Sequence, residues 1–406
     1  MDRKKRMLLF LNIITIVLVF LLSINNILPQ TGAYLQGEKK IFASGNIASK
    51  GDPWKGAPFL YGVNTFDWET WNTTTVEREL REIRDVGFNS IKIPLYYNRF
   101  IEWNLLKFDP SLNQDYYEKV VFFMNEAKQL GLLVEAVPME PWKFGDSMEH
   151  WWTNEIFQQK IYFFYNSYAQ WVKDMEWDHI PFISIWWEAH GYLEWVDGHY
   201  VLEHSLQSYD ETNNDWRNWL SSHDIIPVDL SYSTIDVYIV QYQEWSRIRF
   251  NQITQLKINA VKEGWSNVTV GGEIGFALSE VGWGGPWNPS QYLLMSAKSV
   301  LDVLLPHDYF DVTWWSLEPY LDNAEGKIIV CDELGLPLYT GVGAYDTDEA
   351  WTYIEPKLEI MINRGNGFYY WAWKDYDSRD YGLKDINFNP KPILQLMKNW
   401  LSANGL

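Results

Sequence analysis

Lys327-Ile-Ile-Val-Cys-Asp-Glu333 is a short apolar run closed by acids, and Pro181-Phe-Ile-Ser-Ile-Trp-Trp-Glu188 follows the same plan earlier in the chain. Each has the length and β-branched or aromatic content of a buried strand. A carboxylate at the C-terminal end of a barrel strand points into the barrel mouth. The stretch between Glu188 and Glu333 has room for three further βα units, so these runs read as the fourth and seventh strands of an eightfold barrel.

Working outward supports that count. Strands are predicted over 59–66, 90–96, 132–138, 181–188, 268–274, 310–316, 327–333 and 368–373. Helices are predicted between them, over about 74–86, 115–130, 154–175, 237–263, 291–305 and 347–363, with a closing helix over 390–403. Thr74 and Glu77 have capping-box spacing, and Gly87, Gly131 and Gly264 follow helical runs as stops. Pro356 should kink the helix that contains it. Strands alternating with helices imply parallel units, and no Gly-rich phosphate loop follows the first strand. The predicted fold is therefore an α/β (β/α)8 TIM barrel over residues 57–406. A long polar and aromatic insertion, 189–235, follows strand four and carries a short helix near Trp216–Leu220. An insertion in that place shapes the substrate cleft.

Arg3-Lys4-Lys5-Arg6 precedes an apolar run from Met7 to Ile24, broken only by Asn12, Thr15 and Ser23. Such a run, at about 1.5 Å per residue, spans roughly 27 Å, close to a bilayer's hydrocarbon thickness. Residues 1–30 thus read as a signal anchor or signal peptide, and 31–56 as a linker. The run is long for a signal-peptide core and no Ala-x-Ala site follows at once, which favours an uncleaved anchor through residues 7–24. In either case the barrel is expected outside the cytoplasm, at the cell surface or secreted. Asn72-Thr-Thr and Asn267-Val-Thr are compatible glycosylation tripeptides.

The net charge of −20 argues against nucleic acid and other anionic polymers as partners. A neutral ligand is easier to accommodate. Aromatic residues make up 17% of the chain, including 24 Trp. Flat aromatic faces pack on sugar rings, so several Trp are candidates for a glycan cleft, against the plainer reading as core. Cys331 is the only cysteine and reads as a small buried side chain. Seven scattered histidines with no paired spacing predict no catalytic metal, and no cofactor is expected.

Two carboxylates at a barrel mouth are the machinery of glycoside hydrolysis. Glu188 is assigned as acid/base and Glu333 as nucleophile, with Trp186 beside Glu188 as a candidate for raising its pKa. His190, two residues after Glu188, is a candidate sugar ligand. Glu135, Glu140, Glu273 and Glu318 also fall on or just after strands. They are candidate ligands or catalytic carboxylates, against a plainer reading as solvated or paired loop acids.

These pieces resemble the clan A barrel glycosidases, whose catalytic glutamates lie on strands four and seven. The nearest pattern is glycoside hydrolase family 5. The matching pieces are Gly62-Val-Asn, Ile91-Lys-Ile-Pro, Trp186-Trp-Glu188, Asp311-Val-Thr on strand six, Glu333-Leu-Gly and Gly367-Phe-Tyr-Tyr-Trp371. Trp216–Leu220 and Trp245-Ser-Arg-Ile-Arg-Phe250 also resemble family 42 β-galactosidases. The resemblance implies a retaining hydrolase of a β-linked glycan, with Trp371 stacking under the sugar and Tyr320 orienting the nucleophile. It also marks departures. Trp187 stands where the clan usually has Asn, Lys92 where family 5 has Arg, and Val137-Pro-Met where family 5 has His. Trp187 and Lys92 are thus candidate substrate contacts. Two further readings share the barrel: a non-catalytic or weakly catalytic glycan-binding surface protein, and a transglycosylase.

Overall fold

The computed structural model describes residues 59–406, except 97–98, 103–106, 140–152, 187–192, 197–198, 203–209, 232, 277, 280–299, 309–314, 318–320, 323–325, 337–345 and 376–379. The N-terminal apolar run and linker lie outside the described residues. Among the described residues no helix is long and apolar enough to cross a membrane.

Eight parallel strands form one sheet: β1 (Leu60–Asn64), β2 (Ser90–Tyr96), β3 (Leu133–Met139), β4 (Ile183–Ser184), β5 (Val270–Phe276), β6 (Val303–Asp308), β7 (Ile328–Leu334) and β8 (Gly367–Tyr370). Their order, β3-β2-β1-β8-β7-β6-β5-β4, follows the chain round a nearly closed barrel. The helices are α1 (Thr73–Val86), α2 (Gln114–Gln129), α3 (Glu155–Asp174), α4 (Asp210–Ser222), α5 (Ile235–Gly264), α6 (Thr347–Arg364) and α7 (Pro392–Ala403). Between β4 and α5 the described residues hold a hairpin, Leu193–Val196 with His199–Leu202, and α4.

Local chemistry explains most of these elements. Helix α1 buries Val76, Leu80 and Ile83 on one stripe, as their spacing predicts. Its cap is Asn72, whose side-chain oxygen accepts the Thr75 N–H at 2.9 Å, rather than Thr74. Gly87 ends the helix at φ 119, a left-handed backbone that only glycine adopts freely. Helix α6 runs through Pro356, which deprives one turn of its N–H donor.

Sheet closure falls between β3 and β4. Val134 N–H donates to His179 O at 2.9 Å across this seam. Helix α3 lies over it and supplies two tyrosine donors. Tyr168 OH donates to Ala136 O at 3.0 Å, and Tyr165 OH to Ile185 O at 2.8 Å. A buried carbonyl without a donor is costly, so these hydroxyls replace missing ladder bonds.

Strand six differs from the prediction. It is Val303–Asp308, whereas Trp315–Ser316 pairs antiparallel with Leu278–Ser279 outside the barrel sheet. Asp311-Val-Thr, matched above to strand six, lies outside the described residues. Leu301, Val303, Leu304 and Leu305 form a fully buried run. Periodicity cannot separate a buried strand from a buried helix, which is why the pattern reads as a helix ending at 305. Pro306 sits where the β5–β6 register shifts, a place that tolerates a missing N–H.

Leu60, Phe182, Val303, Leu305, Val330 and Tyr369 form an apolar cluster, with Leu133 packed against it. Most stand at the N-terminal halves of their strands and so floor the barrel. The larger core lies between sheet and helices. Trp68, Trp177, Trp186, Trp216, Trp245 and Trp373 are fully buried in the core, not in a cleft. The segments resembling family 42 make the α4–α5 contact. There Trp216 stacks on Trp219 at 5.6 Å, and Asp215 accepts bonds from Trp245 and Arg249.

Candidate active site

Above the apolar floor the barrel interior becomes charged. Register alignment sets Asn64, Lys92 and Glu135 side by side on β1, β2 and β3. Glu273 comes from β5, His307 from β6, and Asp332 and Glu333 from β7. Lys92, Glu135, Glu273, His307 and Asp332 are fully buried, and Glu333 is 2% exposed.

Consecutive residues of a flat strand face opposite sides, yet Asp332 and Glu333 both reach Lys92. The ladder explains this. Strand β7 spends one residue more than β8 between Cys331 and Leu334, and one more than β6 between Ile329 and Glu333. Both irregularities place a bulge at the acids, and a bulge re-aims side chains.

Lys92 Nζ donates to Asp332 Oδ2 at 2.6 Å and to Glu333 Oε1 at 3.0 Å. It also lies 3.0 Å from Glu273 Oε1. His307 Nε2 is 3.4 Å from Glu273 Oε2 and 3.5 Å from Asp332 Oδ2. His307 Nδ1 is 3.6 Å from Glu333 Oε2. Glu273, His307, Asp332 and Glu333 offer ligand atoms within 4.8 Å of one another. The ammonium of Lys92 stands among them.

Burial disfavours every charge here, and the partners decide which survive. Burial opposes the Lys92 cation, but Asp332, Glu273, Glu333 and Glu135 outweigh it and raise its pKa well above the ordinary value. His307 behaves alike: burial opposes its cation, while Glu333, Asp332 and Glu273 raise its pKa well above 6.5. Asp332 is also opposed by burial, but Lys92 and His307 pull it down to about 2. Burial and the Asp332 charge push Glu135 well up. Burial pushes Glu273 up to about 7, against the pull of Lys92. These directions favour the cationic forms of Lys92 and His307, the anionic form of Asp332 and the neutral form of Glu135.

The structure brings Lys92 and Glu333 into contact. Lys92 was expected to touch substrate, but its side chain is fully buried and its ammonium meets three carboxylates. Glu135 and Glu273, given a plainer reading as loop acids, are strand residues inside the barrel. Asp332 and His307 were missed. The double acid Asp332-Glu333 was a visible signal, while His307 was hidden by the misplaced sixth strand. Trp371 is 8% exposed and donates its backbone N–H to Leu334 O at 2.9 Å. Gly335 permits this approach: a Cβ there would stand 2.4 Å from Trp371 O. Trp186 packs on α5, stacked on Phe250 at 5.0 Å with the Lys257 ammonium 3.2 Å from its ring. Trp187, Glu188, His190 and Tyr320, with Glu140 and Glu318, lie outside the described residues.

Cys331 is buried behind this face, and burial pushes its thiol well up, which suits an inert core residue. The site is thus a carboxylate at a strand end, held on one oxygen by Lys92 and approached on the other by His307. Such a group can act as a nucleophile toward an electrophilic carbon.

No protein-family model matches the chain, and no curated protein matches it. Solved structures do. An exo-β-1,4-mannosidase from Opitutaceae bacterium strain TAV5 superposes with a TM-score of 0.57 at 15% identity, over 86% of this chain and 60% of that one. A GH5_18 protein from Streptomyces cattleya, solved with GlcNAc, gives 0.55 at 9% identity, over 86% of this chain and 80% of that one. The β-glucosidase BglU from Micrococcus antarcticus gives 0.53 at 11% identity, over 86% and 97%. The present chain spans less than two thirds of the mannosidase's length. At identities this low the likeness shows the fold alone, the (β/α)8 barrel that the chain shares with these structures.

Proposed function

We propose that the protein is a retaining glycoside hydrolase that cleaves a neutral β-linked glycan outside the cytoplasm. Glu333 carries this reading: it is a carboxylate at the C-terminal end of β7, held by Lys92 at 3.0 Å. An Oε atom of Glu333 attacks the anomeric carbon as the glycosidic C–O bond breaks. The leaving oxygen takes a proton from Glu188. Glu188 then removes a proton from water, which attacks the same carbon and frees Glu333. Trp371 provides an aromatic face at the end of β8. The acidic surface favours an uncharged glycan, and residues 7–24 would tether the barrel to a membrane.

The test uses the protein against a panel of aryl β-glycosides, soluble β-glucans and β-mannans. Turnover should fall by about a thousandfold or more in Glu333→Gln. A 2-fluoro glycoside should add one sugar to the peptide containing Glu333. Labelling at another carboxylate, or full turnover in the variant, would remove Glu333 as nucleophile.

A further inference from the structure

Glu273 and Glu333 address the same two basic side chains. Glu333 meets Lys92 with Oε1 and His307 with Oε2. Glu273 also meets Lys92 with Oε1 and His307 with Oε2. The four groups close a ring of alternating charge type, spanning β2, β5, β6 and β7. Barrel interiors are normally filled by branched apolar residues at such mid-strand positions. A buried acid there needs a reason, because an unpaired charge is costly.

We propose that Glu273 is a positioning residue for the nucleophile, anchoring Lys92 and His307 while Glu333 is bonded to the sugar. This rests on the retaining reading above. In the free protein Lys92 and His307 both face the carboxyl groups of Asp332, Glu333 and Glu273. When a Glu333 oxygen bonds to the anomeric carbon, the glycosidic C–O bond breaks, the leaving oxygen takes the proton of the acid and departs neutral, and the negative charge comes to rest on that acid. Glu333 is then a neutral ester, and Lys92 and His307 lose its charge, while Glu273 stays in reach of both at 3.0 and 3.4 Å. Burial of an uncompensated cation would displace Lys92 and His307 from the ester that water must open. Glu273 keeps a carboxyl group against both basic side chains through that step.

The groups facing Glu273 are Lys92 on β2, Glu135 on β3, His307 on β6 and Asp332 with Glu333 on β7. Glu273 titrates near neutrality, so its anchoring strengthens as pH rises through about 7.

The test compares wild type, Glu273→Gln and Glu273→Asp, with Glu333→Gln alongside. Glu273→Gln keeps the shape but not the charge. It should lower kcat by about 10- to 100-fold, with KM changing by less than about threefold. The wild-type kcat limb rising through about pH 7 should disappear, and Glu273→Asp should restore part of the rate and that limb. Wild-type kcat and an unchanged pH profile in Glu273→Gln, with Glu333→Gln inactive, would overturn the proposal and leave the hydrolase reading intact. Full activity in Glu333→Gln would overturn the hydrolase reading instead. Thermal unfolding supplies a readout independent of turnover. Wild type should lose stability between about pH 4.5 and 7 from this group, and Glu273→Gln should show a flatter dependence. Equal slopes would remove Glu273 from the charged ring.

Discussion

Lys92 Nζ stands 3.0 Å from Glu333 Oε1, so a cation on β2 grips a carboxylate on β7 across the barrel interior. Both groups are withdrawn from water. The contact fixes the Glu333 rotamer at the strand end and keeps the neighbouring acids from repelling one another apart.

Removing that cation should be severe. Lys92→Met leaves Asp332, Glu273 and Glu333 without the ammonium that all three meet. Breaking a buried pair by deleting one partner costs about 3–5 kcal/mol. Urea unfolding of the variant would measure this. A loss below about 1 kcal/mol would mean that His307 alone can balance the acids.

The charged layer also sets a pH dependence with a definite sign. Asp332 has its pKa lowered from 3.8 to about 2, so its contribution is present above 3.8 and lost as pH falls through about 2. Glu273 is raised from 4.5 to about 7, so its contribution is present below about 4.5 and lost as pH rises through about 7. His307 is raised above 6.5 and loses its contribution as pH rises beyond that value. The windows overlap on the acid side, around pH 4 to 5. Melting temperature should therefore fall between pH 5 and 8; a steady rise over that range would contradict the assignment.

Gly335→Ala should act on the site through the backbone. The new Cβ would stand 2.4 Å from Trp371 O, so the end of β8 must shift. Overpacking of this kind costs about 1–3 kcal/mol. A displacement of Trp371 should lower kcat/KM by about 10- to 100-fold if the ring lies under the substrate. Unchanged kinetics in a folded variant would take Trp371 out of the binding surface.

Tyr168→Phe tests the seam. It strips Ala136 O of the donor from α3 that stands in for a neighbouring strand. A buried carbonyl left unsatisfied costs about 1–3 kcal/mol. Hydrogen exchange should accelerate in β3 before it does in β1 or β8. Uniform acceleration across the sheet would show that the seam is no weaker than the rest.

Much of the barrel was legible because its signals are local. Ser90–Tyr96 reads as a strand from an unbroken buried run, and Gly87 and Gly131 end helices because their left-handed backbone suits glycine. Glu333 could be chosen from its place at the end of an apolar run. Helix α1 shows the limit of such rules. Asn72 and Thr74 both have capping chemistry, and the structure has Asn72 as the cap with extended backbone and Thr74 inside the first turn. Strand six shows a deeper limit. Leu301, Val303, Leu304 and Leu305 are all buried, so their pattern carries no clear period, and only pairing with β5 and β7 made the run a strand.

By itself the sequence determined the succession of strands and helices apart from strand six, the strand-end position of Glu333, and the net acidity of the chain. These follow from hydrophobic period, turn chemistry and charge, all of which act over a few residues. The tertiary structure alone decided that Asp332 and Glu333 share a face, because a bulge is defined by the residue count of two neighbouring strands. It alone brought Lys92, Glu273 and His307 to the same point. Register across the barrel places those groups, and burial there makes their mutual charges strong enough to set one another's protonation.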